Sequence, residues 1–414
     1  MKNVTLLICG AGDRGRNHGQ NAANHAENAR VVGVAEPREF FRVEVASTHG
    51  IPEENVFSDW RAMAARDRFA DAVVVSTLDH LHVEPVEAFA KKGYHILLEK
   101  PIAPTEPECE RIVSAVKKAG VVFGVCHVLR YTDYNRKIKE IIDSGALGQV
   151  VSIQHLEPVT YWHQAHSYVR GNWRNEKESS FMLLAKSCHD IDLIHYFMND
   201  ECTAVSSFGS LKHFRATEKP HGAAGRCLDC PVEASCPYSA KRIYLGRLRL
   251  GHKDWPVNVV DPNPSEETLT EALRSGPYGR CVYSCDNDVV DNQVVNMTFA
   301  RGQTASFTMT AFTDSSGRQT RIFGTRGQLT GDSHVIKVYD FLTETTTTID
   351  TRAGSEDITG GHGGGDYHLM RRFVDAVRRN DQSCLLSGAD ETLASHRIVF
   401  AAERARNANQ VVTL

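Results

Sequence analysis

The sequence predicts an α/β protein, with a doubly wound parallel sheet in its N-terminal part and an α+β domain with a mostly antiparallel sheet behind it. Three observations predict this. From Val4 to about Val125 short apolar runs alternate with amphipathic stretches, the pattern of a parallel sheet with helices on both faces. Beyond Asp133 the strand-like runs have hairpin spacing, the pattern of an antiparallel or mixed sheet. The length of 414 residues exceeds one ordinary core, so two domains are expected.

In chain order, "VTLLIC", "ARVVGVAE", "DAVVVST", "YHILLEK" and "VVFGVC" read as the parallel strands, with Ala- and Arg-rich helices between them. A helix through "NRKIKEIIDSG" stops at Gly145, where a glycine tolerates the left-handed turn that ends helices. The runs "GQVVSIQHL", "NQVVNMTFA", "TASFTMTAF" and "QTRIFGT" are the strands of the second sheet. Between Lys212 and Asp288 lies a Cys-, Pro- and Gly-rich stretch of little periodicity, read as an elaboration. A glycine tract, "GGHGGGDY", introduces the helix "HLMRRFVDAVRRN", and "ADETLASHRIVFAAERAR" is a last helix. The expected division is 1–126 and 127–414, with the elaboration at about 212–288.

Composition narrows the function. An apolar content of 41%, 24% charged residues and a net charge of −4 leave no basic footprint for nucleic acid. No segment approaches the ~18 apolar residues of a membrane span, and a cytoplasmic protein is expected. The 11 cysteines read as thiols or metal thiolates rather than a disulfide framework. Cys227, Cys230 and Cys236, joined by Cys281 and Cys285, could supply four thiolates to a structural zinc. The competing reading is a set of reduced, buried cysteines.

Straight after the first strand comes "GAGDRG", residues Gly10, Ala11, Gly12, Asp13, Arg14 and Gly15. The first glycine permits the turn, the second lets the backbone approach a pyrophosphate, and the third lets helix and strand pack closely. An acidic residue, Glu36, ends the second strand, placed to accept hydrogen bonds from both ribose hydroxyls and to repel a 2′-phosphate. This combination predicts a dinucleotide site favouring NAD over NADP, a preference that Arg14 and Arg38 soften. The strand ending "VVVSTLDHLH" sets Ser76, Thr77, Asp79, His80 and His82 at its carboxyl end, where ligands bind in open parallel sheets.

With these residues in place, the chain resembles the Gfo/Idh/MocA oxidoreductase family along nearly its whole length, the Cys-rich stretch excepted. The resemblance is carried by "GAGDRG", Glu36, "TLDHLH", "EKP" at Glu99 to Pro101, "LRY" at Arg130, "GNWR" at Trp173 and Arg174, "CHDID" around His189, and "GHGGGDY". It implies a Rossmann domain followed by an antiparallel-sheet domain, acting on a hydroxyl of a sugar, inositol or related polyol. Some branches instead cleave glycosides on a retained NAD. The resemblance puts Lys100 and His189 at the reacting hydroxyl, with Glu99 and Arg130 toward the cofactor. It also implies a homo-oligomer paired through the second-domain sheet. Many members place an aspartate four residues before that histidine; here Ala185 stands there and Lys186 follows. On one helix Lys186, His189 and Asp190 can share a polar face. This makes Lys186 a catalytic candidate and Asp190 a substrate-binding one.

A second constellation, "YWHQAHSYVRGNWR", concentrates Tyr161, Trp162, His163, His166, Tyr168, Trp173 and Arg174. Aromatic faces with a few placed donors suit a carbohydrate pocket. Two activities are compatible with these residues. In the first, a hydride passes from a secondary carbinol to NAD while Lys100 or His189 takes the hydroxyl proton. In the second, transient oxidation, elimination, water addition and re-reduction cleave a glycoside, with His163, His166, Tyr161 or Lys186 as the extra acid and base. An NAD-sensing protein would lack the proton-transfer groups that Lys100 and His189 supply.

Overall fold

The computed structural model describes residues 3–24, 28–314, 317–352 and 362–414. Its first sheet has six parallel strands in the order β3-β2-β1-β4-β5-β6: β1 Val4–Cys9, β2 Ala29–Ala35, β3 Val56–Phe57, β4 Ala72–Val75, β5 His95–Leu98 and β6 Phe123–Val125. Successive side chains of a strand point to opposite faces. Leu6 and Ile8 therefore join one buried cluster, while Leu7 and Cys9 join the other. Both faces are covered, which is why these strands read as continuous apolar runs.

The cover on one face comes from far along the chain. The helix Gly365–Arg379 buries Leu369, Met370, Phe373, Val374 and Val377, spaced along one stripe, against Leu6 and Ile8. Each such side chain contributes about 1.5–3 kcal/mol when fully buried. Gln382 then pairs with the backbone of Phe123, and Val125 donates to the carbonyl of Ser387. The C-terminal segment thus returns to the first sheet.

The second sheet has nine strands, β14-β13-β12-β11-β7-β10-β9-β8-β15, of which β7 Val150–Thr160 and β10 Thr304–Thr313 pair in parallel. Strands β8 Cys202–Ser210, β9 Asn292–Phe299, β11 Gln319–Gly324, β12 Gly327–Gly331, β13 Val335–Asp340, β14 Thr345–Asp350 and β15 Val412–Thr413 join it antiparallel. In β9, buried Val295, Met297 and Phe299 alternate with exposed residues, so one face packs inward. The helices Cys188–Met198 and Ala389–Ala408 share that core through Ile191, Ile194 and Ile398.

The stretch expected to be irregular has a core of its own, with Phe214, Tyr238, Tyr244, Leu269, Leu273 and Tyr283. Its helix Glu266–Ser275 opens with a reciprocal Ser265 and Thr268 capping box. Leu269 and Leu273, four apart, are its inward stripe.

Candidate active site

The glycine loop is built for close approach. Gly10 has φ +92°, and a Cβ there would lie 2.6 Å from the Ser76 carbonyl oxygen. At Gly15 a Cβ would lie 1.9 Å from the Gly10 oxygen. The helix Asp13–Ala23 begins at Gly12 with no side-chain cap, leaving its first N–H groups available to an anion. Glu36, buried at the end of β2, accepts from the Ala11 N–H at 2.8 Å and from Arg38 Nε at 2.7 Å. Burial pushes its pKa up, but Arg38 and the backbone donors outweigh that, so it lies below its ordinary value. Loop, uncapped helix end and carboxylate together fit a dinucleotide.

At the end of β5 two adjacent residues turn opposite ways, as strand geometry requires. Glu99 faces the glycine-loop helix, accepting from Arg14 Nε at 2.7 Å and lying 2.7 Å from His18 Nε2. Burial raises its pKa, yet Arg14 and His18 hold it well below the usual carboxylate range. Lys100 faces the second domain, its Nζ donating to the Ala185 carbonyl at 2.8 Å. The Lys100–Pro101 peptide is cis.

Around Lys100 the structure gathers His189, Lys186 and His163. His189 is buried with Nδ1 unpartnered among the described residues. Burial and then the Lys100 charge hold it well below the ordinary histidine value, so it is neutral. Burial and Lys186 do the same to His163. Lys186 Nζ lies 3.3 Å from Glu157, and Arg318 joins Glu157 at 2.9 Å to Asp190 at 2.6 Å. Asp79 stands nearby, its pKa raised by burial despite the charges of His82 and Lys100.

Three groups at the site were not singled out by sequence reasoning: Arg318, Glu157 and His127. Glu157 carried a signal. It shares parity in β7 with buried Ile153 and His155, and a charge on the inward face of a strand calls for a partner. Arg318 had none, because only the pairing of β11 with β7 brings it there. His127 is fully buried between His189 and His396, with ring centroids 5.6 Å from each. Burial lowers its pKa to about 4.

Other expected site residues are placed differently. Asp190 is 0% exposed, enclosed by Arg318 and by His155 at 3.0 Å, so it positions Arg318 rather than meeting a substrate. Arg130, 2% exposed, gives both Nε and Nη2 to Asp192 at 2.7 Å and lies over Tyr196; it joins elements of the protein instead of facing a cofactor. His82 is locked between the carbonyls of Thr77, Pro101 and Ile102, and His80 is exposed. Ser76 Oγ donates to the Gly10 carbonyl at 2.7 Å, and Thr77 Oγ1 to that of Leu81 at 3.3 Å.

The aromatic stretch divides as well. Its π-helical turn Gln164–Arg170 sends His166 into the elaboration, where Nδ1 meets Tyr244 Oη at 2.9 Å and the ring stacks on Tyr278. Tyr161 packs against Tyr238. Arg174 is held by both oxygens of Asp286 at 3.0 Å and by Glu178. Toward the site remain His163 and Tyr168, centroids 5.8 Å apart, with Trp173, 36% exposed, 6.4 Å from Tyr168.

The cysteines also depart from expectation. Among the described residues the group of His, Cys, Asp and Glu ligand atoms close enough to share a metal is His18, Glu99 and Cys126, not Cys227, Cys230, Cys236, Cys281 and Cys285. Four of these five line a small cavity with Arg170, whose guanidinium donates to Cys227 Sγ at 3.5 Å. A cation set against the thiol disfavours a dication at the same place. All eleven cysteines are free.

A doubly wound dinucleotide fold with a lysine at the end of β5 defines a nicotinamide-dependent oxidoreductase architecture. The chain belongs to the Gfo/Idh/MocA oxidoreductase family: the description "Oxidoreductase family, NAD-binding Rossmann fold" matches residues 4–127, and "Oxidoreductase family, C-terminal alpha/beta domain" matches residues 139–414. YteT of Bacillus subtilis (strain 168), an oxidoreductase by name, is 25% identical over 340 residues, 77% of this chain and 76% of its own. The 2,7-anhydro-N-acetylneuraminate hydratase of Mediterraneibacter gnavus is 28% identical over 212 residues; the match takes in 50% of this chain and 53% of the hydratase. A structure of levoglucosan dehydrogenase with NADH and L-sorbose is similar in fold, with a TM-score of 0.74 and 20% identity, covering 100% of this chain and 99% of that one. No helix among the described residues is long and apolar enough to cross a membrane.

Proposed function

We propose that the protein transfers a hydride between NAD and a secondary hydroxyl of a sugar, inositol or glycoside. The observation that carries this reading is the placement of Lys100: a rigid strand end presents its Nζ beside neutral, buried His189. In this reading Lys100 or His189 takes the hydroxyl proton, Lys186 sets the charge next to His163, and Trp173 offers an aromatic face to the ring of the substrate. NAD supplies the hydride acceptor, gripped by the loop Gly10 to Gly15 and by Glu36, whose carboxylate favours NAD over NADP.

A second reading, cleavage or hydration of a glycosidic or anhydro linkage by transient oxidation, is favoured by Asp79. It stands near Lys100 with a buried Oδ2 unpartnered among the described residues, and burial raises its pKa, the direction that suits the additional acid that elimination needs. The name of the hydratase relative supports keeping this reading. A panel of free polyols, anhydro-sugars and aryl glycosides, followed for NADH absorbance and released product in the same wells, tests both. NADH formation with a free sugar supports the first; product without NADH accumulation supports the second. No turnover of any member with NAD or NADH refutes both.

The proposal includes a reducing, cytoplasmic setting, which eleven unpaired cysteines suit. It also includes a homo-oligomer through the outer face of the second sheet, where Phe208 and Val294 stand opposite each other and exposed. Sedimentation of the purified chain tests that association.

A further inference from the structure

We propose that His362, oriented by Asp366, carries the substrate's proton between the buried end of the site and water. The proposal rests on the reading of Lys100 and His189 as the groups at the reacting hydroxyl. His362 and Asp366 belong to the glycine tract, whose Gly360 and Gly361 lie outside the described residues. Gly363 and Gly364, at φ 58° and 82°, turn the chain sharply into the helix Gly365–Arg379. A Cβ on Gly365 would lie 2.4 Å from the Val128 carbonyl oxygen, so this entry is seated against the loop after β6.

The tight entry sets Asp366 in the first turn of the helix, fully buried. There it accepts from Arg14 Nη2 at 2.5 Å, and its other oxygen lies 2.9 Å from His362 Nδ1. Burial raises the Asp366 pKa, but Arg14 and His362 hold it far below the carboxylate range. An ionised carboxylate only accepts, so Nδ1 carries the hydrogen and Nε2 is the nitrogen left to exchange a proton. This is the arrangement by which a carboxylate orients an acid–base histidine.

Location gives the pair its role. The His362 ring lies 6.3 Å from that of His189, centroid to centroid, yet its side chain is 41% exposed while His189 is 6% exposed. The two rings therefore span from the enclosed site to solvent, at a separation one water molecule can bridge. The groups facing His362 are Asp366 on its own segment, Arg14 across that carboxylate, and His189; Lys100 and Arg318 act on His189 from beyond. His362 also has φ 55°, a conformation that costs a non-glycine residue of order 1–3 kcal/mol and is retained where surrounding contacts enforce it.

In the oxidative direction the substrate O–H bond breaks and its proton passes to Lys100 or His189, then through water to His362 Nε2 and out. The C–H bond breaks with its electron pair going to the nicotinamide of NAD, which is the oxidant. Reduction reverses each transfer.

The test uses the NAD-loaded protein, a substrate found in the panel above, and two variants, His362→Gln and His362→Ala. Both should keep NAD affinity and circular dichroism, lower kcat by about 10²-fold, and recover most of it, saturably, when imidazole is added; wild type should not respond to imidazole. A merely structural role would not be restored by a free base. The relay is overturned if both variants hold kcat within about threefold of wild type, or if both lose it and imidazole restores nothing. A wild type that turns over nothing in the panel removes the functional reading and the relay with it. Ring-¹⁵N spectra then report separately whether the Nδ1-protonated dyad exists in wild type and is lost in Asp366→Asn.

Discussion

Removing the Arg318 guanidinium tests the electrostatics of the site without reference to any substrate. In wild type this one side chain offsets Asp190, which is 0% exposed, and Glu157, which is 1% exposed, at 2.6 and 2.9 Å. Arg318→Met keeps much of the volume and strands both carboxylates. Breaking a buried pair costs about 3–5 kcal/mol. His155 remains on Asp190 at 3.0 Å and Lys186 on Glu157 at 3.3 Å, which sets the expectation at the lower end, about 3 kcal/mol.

The loss must depend on pH. Burial raises the Asp190 pKa, but Arg318 and His155 depress it in the fold. Its stabilisation is therefore fully present above the unfolded value of about 3.9 and is lost as pH falls through the lower folded value. In Arg318→Met the stranded carboxylate escapes its penalty by binding a proton, so the difference between variant and wild type should be full at neutral pH. It should shrink as pH falls toward about 4. Urea unfolding of both proteins across that range measures it. Adding Asp190→Asn to Arg318→Met should recover part of the loss, a coupling that a double-mutant cycle isolates. A penalty under about 1 kcal/mol at neutral pH, or one equally large in acid, would refute the buried triad as an electrostatic unit.

Lys100→Ala should leave NAD affinity within a few-fold and lower turnover roughly 10²–10⁴-fold; near-normal turnover on the true substrate would move proton transfer to His189. Glu36→Ala should narrow the preference for NAD over NADP about tenfold, the worth of a charged hydrogen bond near 1.5 kcal/mol, and paired binding titrations read it. Since it frees Arg38, NADP affinity itself should rise. Arg130→Met should cost about 3 kcal/mol or more of stability while NAD affinity holds, because its partners are Asp192 and Tyr196; a specific loss of NAD binding would return Arg130 to the cofactor.

Local chemistry is what a sequence states directly. The glycine spacing at Gly10, Gly12 and Gly15, the carboxylate ending β2 and the apolar run ahead of Lys100 each depend on neighbours in the chain. They made the parallel sheet and the dinucleotide loop legible. The same holds for the helices at both ends of the second domain, whose stripes repeat within a few residues. By contrast β8 and β12 to β14, "CTAVSSFGS" and "TTTTID" among them, carry polar residues that a strand accepts only once a neighbour pairs with it, so they went unread. Side-chain partners belong to the same class. Arg130 has the residue type and position of a cofactor contact until Asp192, 62 positions away, claims its guanidinium. Asp190 is a donor-binding carboxylate until Arg318, 128 positions on, closes over it. His362 and Asp366 stand four apart in the sequence, but their bearing on His189 and Arg14 exists only because the helix behind them returns to the first sheet. Charges act over distances in space, and only the tertiary structure sets which distances are short.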